Sequence, residues 1–218
     1  MITKSFIINE IDVKYTIGIS KIQLGLNSLS LEDLFKLIED IQKDKKGSMI
    51  QFFNDEFILN SEHVFNACYF TFKAFNNGIN ISNQKNLEFI LYLATKRQIK
   101  QCLKDFGLNF THMSNKELTY CIISSSKELS LIDEVILQKL NAKHLTLDLN
   151  KNNYDKFKRV KNYFQISDNQ ISVVLKTYGL NLLSKTPTKE DLINLYNVLN
   201  DLICEKMTLL SLEKIKVN

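Results

Sequence analysis

The fold is decided by residues 61–107, which read SEHVFNACYFTFKAFNNGINISNQKNLEFILYLATKRQIKQCLKDFG. Apolar residues recur at helical spacing through the first half of this stretch, behind a cap at residues 60–61, and Gly78 ends that helix. A second helix, capped near residues 82–83, keeps the same spacing as far as Gly107. Two amphipathic helices joined by so short a connection predict an αα-hairpin at the centre of the protein.

Strands and further helices alternate on both sides of this hairpin. Runs of β-branched and aromatic residues predict strands, and apolar residues at helical spacing behind a polar cap predict helices. The predicted strands are 5–8, 13–19, 48–53, 57–59, 118–123 and 144–149, and the further helices are 30–47, 130–140, 150–165 and 188–210. The expected fold class is α+β, a small mixed or antiparallel sheet packed against a helical layer that contains the αα-hairpin. We expect residues 1–218 to form a single domain.

The composition is that of an ordinary globular protein, with 44% hydrophobic and 24% charged residues among 218. The net charge of +4 permits contact with nucleic acid without requiring it. The four cysteines are widely separated in apolar stretches, which predicts reduced, buried thiols. An early charge in the N-terminal segment and the lack of a long uncharged apolar run predict a cytoplasmic location.

The sequence contains none of the spacings that mark a catalytic, nucleotide or metal site, so we expect no catalytic residue, no metal site and no cofactor. The six glycines are isolated from one another, and the three histidines are outside any zinc-ligand motif. His63 falls in the first turn of a helix, where a neutral, packed imidazole is expected. The alternative is an enzyme of unknown type in which His63 pairs with Cys68 or Cys102.

Positive charge concentrates in the second central helix. One face of this helix is expected to carry three lysines at a spacing of four, Lys96, Lys100 and Lys104. Arg97 is one residue further along the helix and so points to a neighbouring face, and Lys73 belongs to the preceding helix. Such a ridge fits nucleic-acid contact, and it equally fits cations that offset a helix dipole or a solvated surface.

Several short motifs in the middle and at the end of the chain occur in a particular order. They are His63-Val64-Phe65-Asn66-Ala67, Asn80-Ile81-Ser82, Leu87-Glu88-Phe89-Ile90-Leu91, Lys96-Arg97-Gln98-Ile99, Phe106-Gly107 and, at the end, Leu202-Ile203-Cys204-Glu205-Lys206-Met207-Thr208-Leu209-Leu210. This order and spacing resemble the regulatory subunit of the KEOPS complex, the TPRKB family of archaeal type.

The resemblance implies a subunit without catalytic residues that binds the atypical kinase/ATPase subunit of the complex and, through it, the other subunits. It also implies binding of the single-stranded 3′ acceptor end of tRNA, in support of the N6-threonylcarbamoyladenosine modification. The residues that would contact tRNA are Lys73, Tyr92, Lys96, Arg97 and Lys100. For Arg97 the competing interpretation is that it caps the helix or pairs internally.

The C-terminal helix offers an apolar stripe for the kinase partner, formed by Leu199, Ile203, Met207 and Leu210. The alternative is that this stripe belongs to the core.

Three departures from the family pattern stand out. Thr95 replaces the glycine before Arg-Gln-Ile, Cys102 replaces the following alanine, and extra residues fall near 166–185. A rival hypothesis is a protein-interaction scaffold of the same fold that does not bind RNA.

Overall fold

The structure is a computed structural model that describes residues 1–8, 13–25, 29–45, 47–125, 128–180 and 187–212. Its strands are β1 (Ile2–Ile8), β2 (Val13–Gln23), β3 (Ser48–Phe53), β4 (Glu117–Ser124) and β5 (Lys143–Leu145). They form one antiparallel sheet in the order β1-β2-β4-β3. The short β5 pairs with residues 21–23 of β2, directly beyond the residues that β1 covers, so β1 and β5 together line one edge of β2. The opposite edge of the sheet is β3.

Helices follow the strands in chain order. They are α1 (Leu31–Asp44), α2 (Ser61–Asn76), α3 (Lys85–Ala94), α4 (Ile99–Phe106), α5 (Phe110–Asn115), α6 (Leu129–Lys139), α7 (Tyr154–Tyr163), α8 (Asp168–Thr177) and α9 (Lys189–Leu212). None of the helices in the described part of the chain has the length and apolar character needed to span a membrane.

The sheet separates two apolar cores, because side chains of successive strand residues point to opposite faces. In β4, Cys121 and Ile123 face the larger core, whereas Tyr120 and Ile122 face the smaller one. The smaller core is closed by α1 and α6, and the larger by α2, α3, α4, α7, α8 and α9. The α+β class with an antiparallel sheet is therefore confirmed, and helices pack against both faces of the sheet.

The predicted αα-hairpin is present as α2 and α3, but its second helix is shorter than predicted. It ends at Ala94, and Thr95 adopts a left-handed conformation with φ 52° and ψ 36°. A new helix, α4, begins only at Ile99. The prediction of one continuous helix is wrong at this break. Lys96 therefore precedes α4 and does not share a helix face with Lys100 and Lys104.

Other differences concern short segments. Residues 57–59 and 146–149 are outside the strands, and α5 has no counterpart among the predicted helices. The segment near 166–185 contains α8, whose Ile171 and Leu175 are buried in the larger core. Residues 181–185 of that segment lie outside the described residues.

Candidate RNA-binding and partner-binding surface

The break between α3 and α4 is a closed turn, which we call the 95–98 turn. The Thr95 N–H donates to the Tyr92 carbonyl at 3.2 Å, and the Lys96 N–H donates to the Leu91 carbonyl at 3.2 Å. This pair of bonds is the Schellman closure of a helix, which requires a left-handed residue and is usually built with glycine. Thr95 adopts that conformation in spite of its branched Cβ, for which positive φ is a rare state.

Lys96 is half-buried and contacts other residues of the protein. Its ammonium lies 4.2 Å from the centroid of the Tyr163 ring and 4.0 Å from Asp105 Oδ2. The Tyr163 hydroxyl donates to the same Asp105 carboxylate at 2.8 Å. Lys96 thereby joins the 95–98 turn to α4 and α7, and its charge is partly compensated by Asp105.

Arg97 is exposed at the surface and also contacts the last helix. Its Nη2–H donates to the Leu210 carbonyl at 3.4 Å. The last turn of α9 has no basic residue of its own, so Arg97 supplies the positive charge that its carbonyl end favours. The structure thus supports the alternative that this arginine caps a helix, but the helix is α9 and not its own.

Tyr92 cannot stack on a base, which corrects its assignment as a tRNA contact. Its side chain is fully buried, its hydroxyl lies 2.8 Å from Ser211 Oγ, and its ring stacks on Phe70 with centroids 5.6 Å apart. Burial raises the pKa of Tyr92 to about 12. The half-buried rings of Phe70 and Tyr69 lie outside it, in contact with each other at 5.6 Å. Phe70 and Tyr69 are therefore the partly exposed rings in this row.

Lys73 lies at the far part of α2, about 15 Å along the helix from His63. Its ammonium is 5.6 Å from the centroid of Tyr69. The rings of Tyr69, Phe70 and Tyr92, which we call the aromatic row, connect Lys73 to the region of Arg97. Because the Tyr92 ring is fully buried, this row of contacts passes through the interior, and it does not place Lys73 and the 95–98 turn on one surface.

Lys100 and Lys104 are exposed on α4 beside the half-exposed Ile99 and Leu103. Neither lysine forms an ion pair with any residue in the described ranges. Of the predicted tRNA contacts, Arg97 and Lys100 are therefore the most accessible.

His63 holds the two helices of the hairpin together. The Leu59 N–H donates to His63 Nδ1 at 3.3 Å, which leaves the proton on Nε2, and Nε2–H donates to the Leu93 carbonyl at 3.0 Å. The ring is fully buried, and this burial lowers the pKa of His63 to about 4. His63 is therefore a neutral structural residue, as its position in the sequence predicts.

Glu88 is a buried carboxylate that the sequence reasoning missed. It accepts hydrogen bonds from the backbone N–H groups of Ile81 at 3.0 Å and Ser82 at 2.7 Å, and so fixes the connection between α2 and α3. The signal that could have found it is its spacing, because Glu88 lies three residues before Leu91 on the face that packs inward. A charged residue in such a position needs several hydrogen bonds to be tolerated.

The apolar stripe of α9 is corrected from a partner surface to core. Its four members are at most 5% exposed and pack into the larger core: Leu199, Ile203, Met207 and Leu210. Almost no apolar area of this stripe therefore remains accessible to a partner.

Among the described residues, no group of three or more histidine, cysteine or acidic side chains is placed to hold a metal ion. The thiol of Cys68 is fully buried, and burial raises the pKa of Cys102 to about 11. Both thiols therefore stay protonated near neutral pH.

These features define a class of protein: an antiparallel α+β domain, built around an αα-hairpin that a buried histidine holds together, with Arg97 and Lys100 exposed where α3 gives way to α4. The chain belongs to the kinase binding protein CGI-121 family, which matches residues 30–211. This is the family that the order of motifs indicated, also known as the TPRKB family. Strands β1 and β2 lie before the matched region. A comparison with curated proteins gave no match.

Proposed function

We propose that this protein is a non-catalytic accessory subunit of the KEOPS complex in the cytoplasm. In this proposal it binds the atypical kinase/ATPase subunit and the 3′ acceptor end of tRNA, and so supports N6-threonylcarbamoyladenosine modification of tRNA by the other subunits. Membership of a kinase-binding family supports the kinase-binding accessory role. The protonated thiols and the structural role of His63 favour a subunit that leaves the chemistry to its partners.

The observation that carries the RNA part of the proposal is the surface around the 95–98 turn. Arg97 and Lys100 are exposed there, and the half-buried ring of Phe70 lies in the adjoining aromatic row. Proteins recognise unpaired nucleotides by stacking bases on flat side chains and by placing positive charge along the phosphates. Exposed cations and a partly exposed aromatic ring are both available in this protein, which supports the proposal.

The test is a titration of the protein with intact tRNA and with tRNA trimmed of its unpaired 3′ nucleotides. We expect weaker binding of the trimmed tRNA. The double variant Arg97→Gln, Lys100→Gln should weaken binding of intact tRNA and reduce the slope of log K against log salt by about one for each phosphate that it no longer neutralises. The matched control is Lys36→Gln, Lys43→Gln, which removes two exposed charges from α1 and should leave tRNA affinity unchanged. Equal affinity for intact and trimmed tRNA contradicts binding of the acceptor end.

The second candidate function is a protein-interaction scaffold of the same fold that does not bind RNA. The contacts of Lys96 with Tyr163 and Asp105, and of Arg97 with Leu210, favour it because they give both cations a structural role. Unchanged tRNA affinity of the Arg97→Gln, Lys100→Gln variant, with kinase binding intact, would establish this alternative.

A further inference from the structure

The edge of the sheet that no further strand of the described chain covers lies at the bottom of a groove. Strand β3 forms this edge, and helices cover the sheet on both faces, which leaves a groove of about 650 Å³ along the strand. One wall is α1, and the other is formed by the start of α3 and the end of α4. The volume lies within the range of about 300–1,000 Å³ that is usual for binding pockets.

The outward hydrogen-bonding groups of β3 are occupied by side-chain amides. The Ile50 N–H donates to Gln42 Oε1 at 2.7 Å, and Asn86 Nδ2 donates to the Ile50 carbonyl at 2.8 Å. Next along the edge, Gln51 Nε2 donates to the Phe52 carbonyl at 2.6 Å. An amide oxygen and amide N–H groups are the groups that the main chain of an added strand would supply at these positions. The edge is therefore suited chemically to an extended polypeptide.

The walls of the groove present apolar side chains on both faces of such a strand. Phe35 on α1 is 49% exposed, and Leu103 on α4 is 42% exposed. Successive side chains of a strand point to opposite sides, so alternate residues of an added segment would reach Phe35 and Leu103. Glu39 adds a negative charge to the α1 wall, whereas the ammonium of Lys85 on α3 is turned to α2, 4.8 Å from the centroid of the Phe72 ring.

The shape of the groove decides between occupants. A second copy of this chain cannot enter with its own β3, because α1 and α3 flank that strand in the same way. A single extended segment without flanking helices is required. The kinase-binding family and the burial of the α9 stripe together leave the kinase partner in need of an exposed apolar surface.

We propose that an extended segment of the kinase partner adds to the free edge of β3 as a further strand. Its main chain replaces the amides of Gln42 and Asn86, and its apolar residues alternately cover Phe35 and Leu103. A basic residue of the segment faces Glu39. This inference rests on the proposed kinase-binding function.

The experiment measures the affinity of the purified atypical kinase subunit for the wild-type protein and for Phe35→Ser and Leu103→Ser. We expect each variant to bind about five- to tenfold more weakly. Each substitution takes away the exposed part of one apolar side chain, about half of its surface, which the kinase would otherwise cover. The matched control is Leu131→Ser on α6, where a leucine of 46% exposure lies outside the groove and should affect binding less than about twofold.

Amide hydrogen exchange of the wild-type complex provides a second measurement that needs no variant. The outward amides of Ile50 and Phe52 should exchange more slowly when the kinase is bound. Wild-type affinity in both groove variants, or unchanged exchange at these two amides, overturns the proposed groove while kinase binding stands. Failure of the wild-type protein to bind the kinase overturns the groove and the kinase-binding function together.

Discussion

Replacing Thr95 by glycine should stabilise the protein. Thr95 closes α3 in the left-handed region at φ 52°, where an L-residue loses about 1–2 kcal/mol relative to right-handed backbone. Glycine adopts this conformation without strain but loses about 0.5–1 kcal/mol more backbone entropy on folding. The expected net gain in the free energy of unfolding is therefore about 0.5–1 kcal/mol.

Urea denaturation at neutral pH measures this gain directly. For a chain of 218 residues, the midpoint temperature of thermal unfolding should rise by about 1–4 °C. Thr95→Val is the matched control, since it keeps the branched Cβ and exchanges the hydroxyl for a methyl group, and it should give no gain. A Thr95→Gly variant that is as stable as the wild type or less stable would refute the argument that backbone strain is stored at this turn.

Three further predictions concern residues inside the fold. Gly107→Ala should lower the free energy of unfolding by about 1–3 kcal/mol in urea denaturation, because an added Cβ would lie 2.4 Å from the Leu103 carbonyl oxygen. An unchanged free energy of unfolding contradicts this. The free energy of unfolding should fall by on the order of 3 kcal/mol between pH 6.5 and pH 4, because the histidine binds a proton in the unfolded chain but not in the fold, where the pKa of buried His63 is about 4. His63→Gln should remove this pH dependence. Parallel curves of unfolding free energy against pH for the two proteins contradict it. Asp133→Ala should cost about 2–4 kcal/mol in the same assay, because the buried hydroxyl of Tyr120 loses its acceptor, whereas an effect below about 0.5 kcal/mol would show that water replaces it.

The general architecture could be predicted from the sequence because its signals are local. Capping residues and apolar spacing place α2 within a residue of its observed start, and the apolar run around Tyr120 identifies the central strand β4. The second core also has a signal, because the run of residues 118–123 in β4 has no polar face, which is typical of a strand covered on both sides. Which helices cover which face is not local information, so it could not be predicted.

The break at Thr95 was hidden from the sequence for two reasons. Residues 95–98 amount to about one helical turn, so the apolar spacing of α3 continues in phase into α4. The usual glycine signal is also absent, because threonine occupies the left-handed position. Predicting a continuous helix then placed Lys96 beside Lys100, whereas the structure turns it toward Tyr163.

The predicted partner surface on α9 failed for a different reason. Periodicity shows that Leu199 and Met207 share a face but does not show whether another element covers that face. Tyr92 is similar, because a tyrosine on an apolar helix can have its ring inward with the hydroxyl bonded, as here to Ser211. Only the three-dimensional packing distinguishes a ring that is buried from one that can receive a ligand.

The bond between Arg97 and Leu210 couples two distant parts of the chain, because it joins the 95–98 turn to the end of α9. A phosphate that draws the guanidinium away from Leu210 has to compete with the carbonyl end of that helix. In the proposed complex with tRNA, thermodynamic linkage makes this competition reciprocal: the free energy by which a bound phosphate loosens the final turn of α9 equals that by which ordering of this turn weakens phosphate binding at Arg97. A ligand at the end of α9 and a phosphate at Arg97 would thereby be coupled energetically without contacting each other.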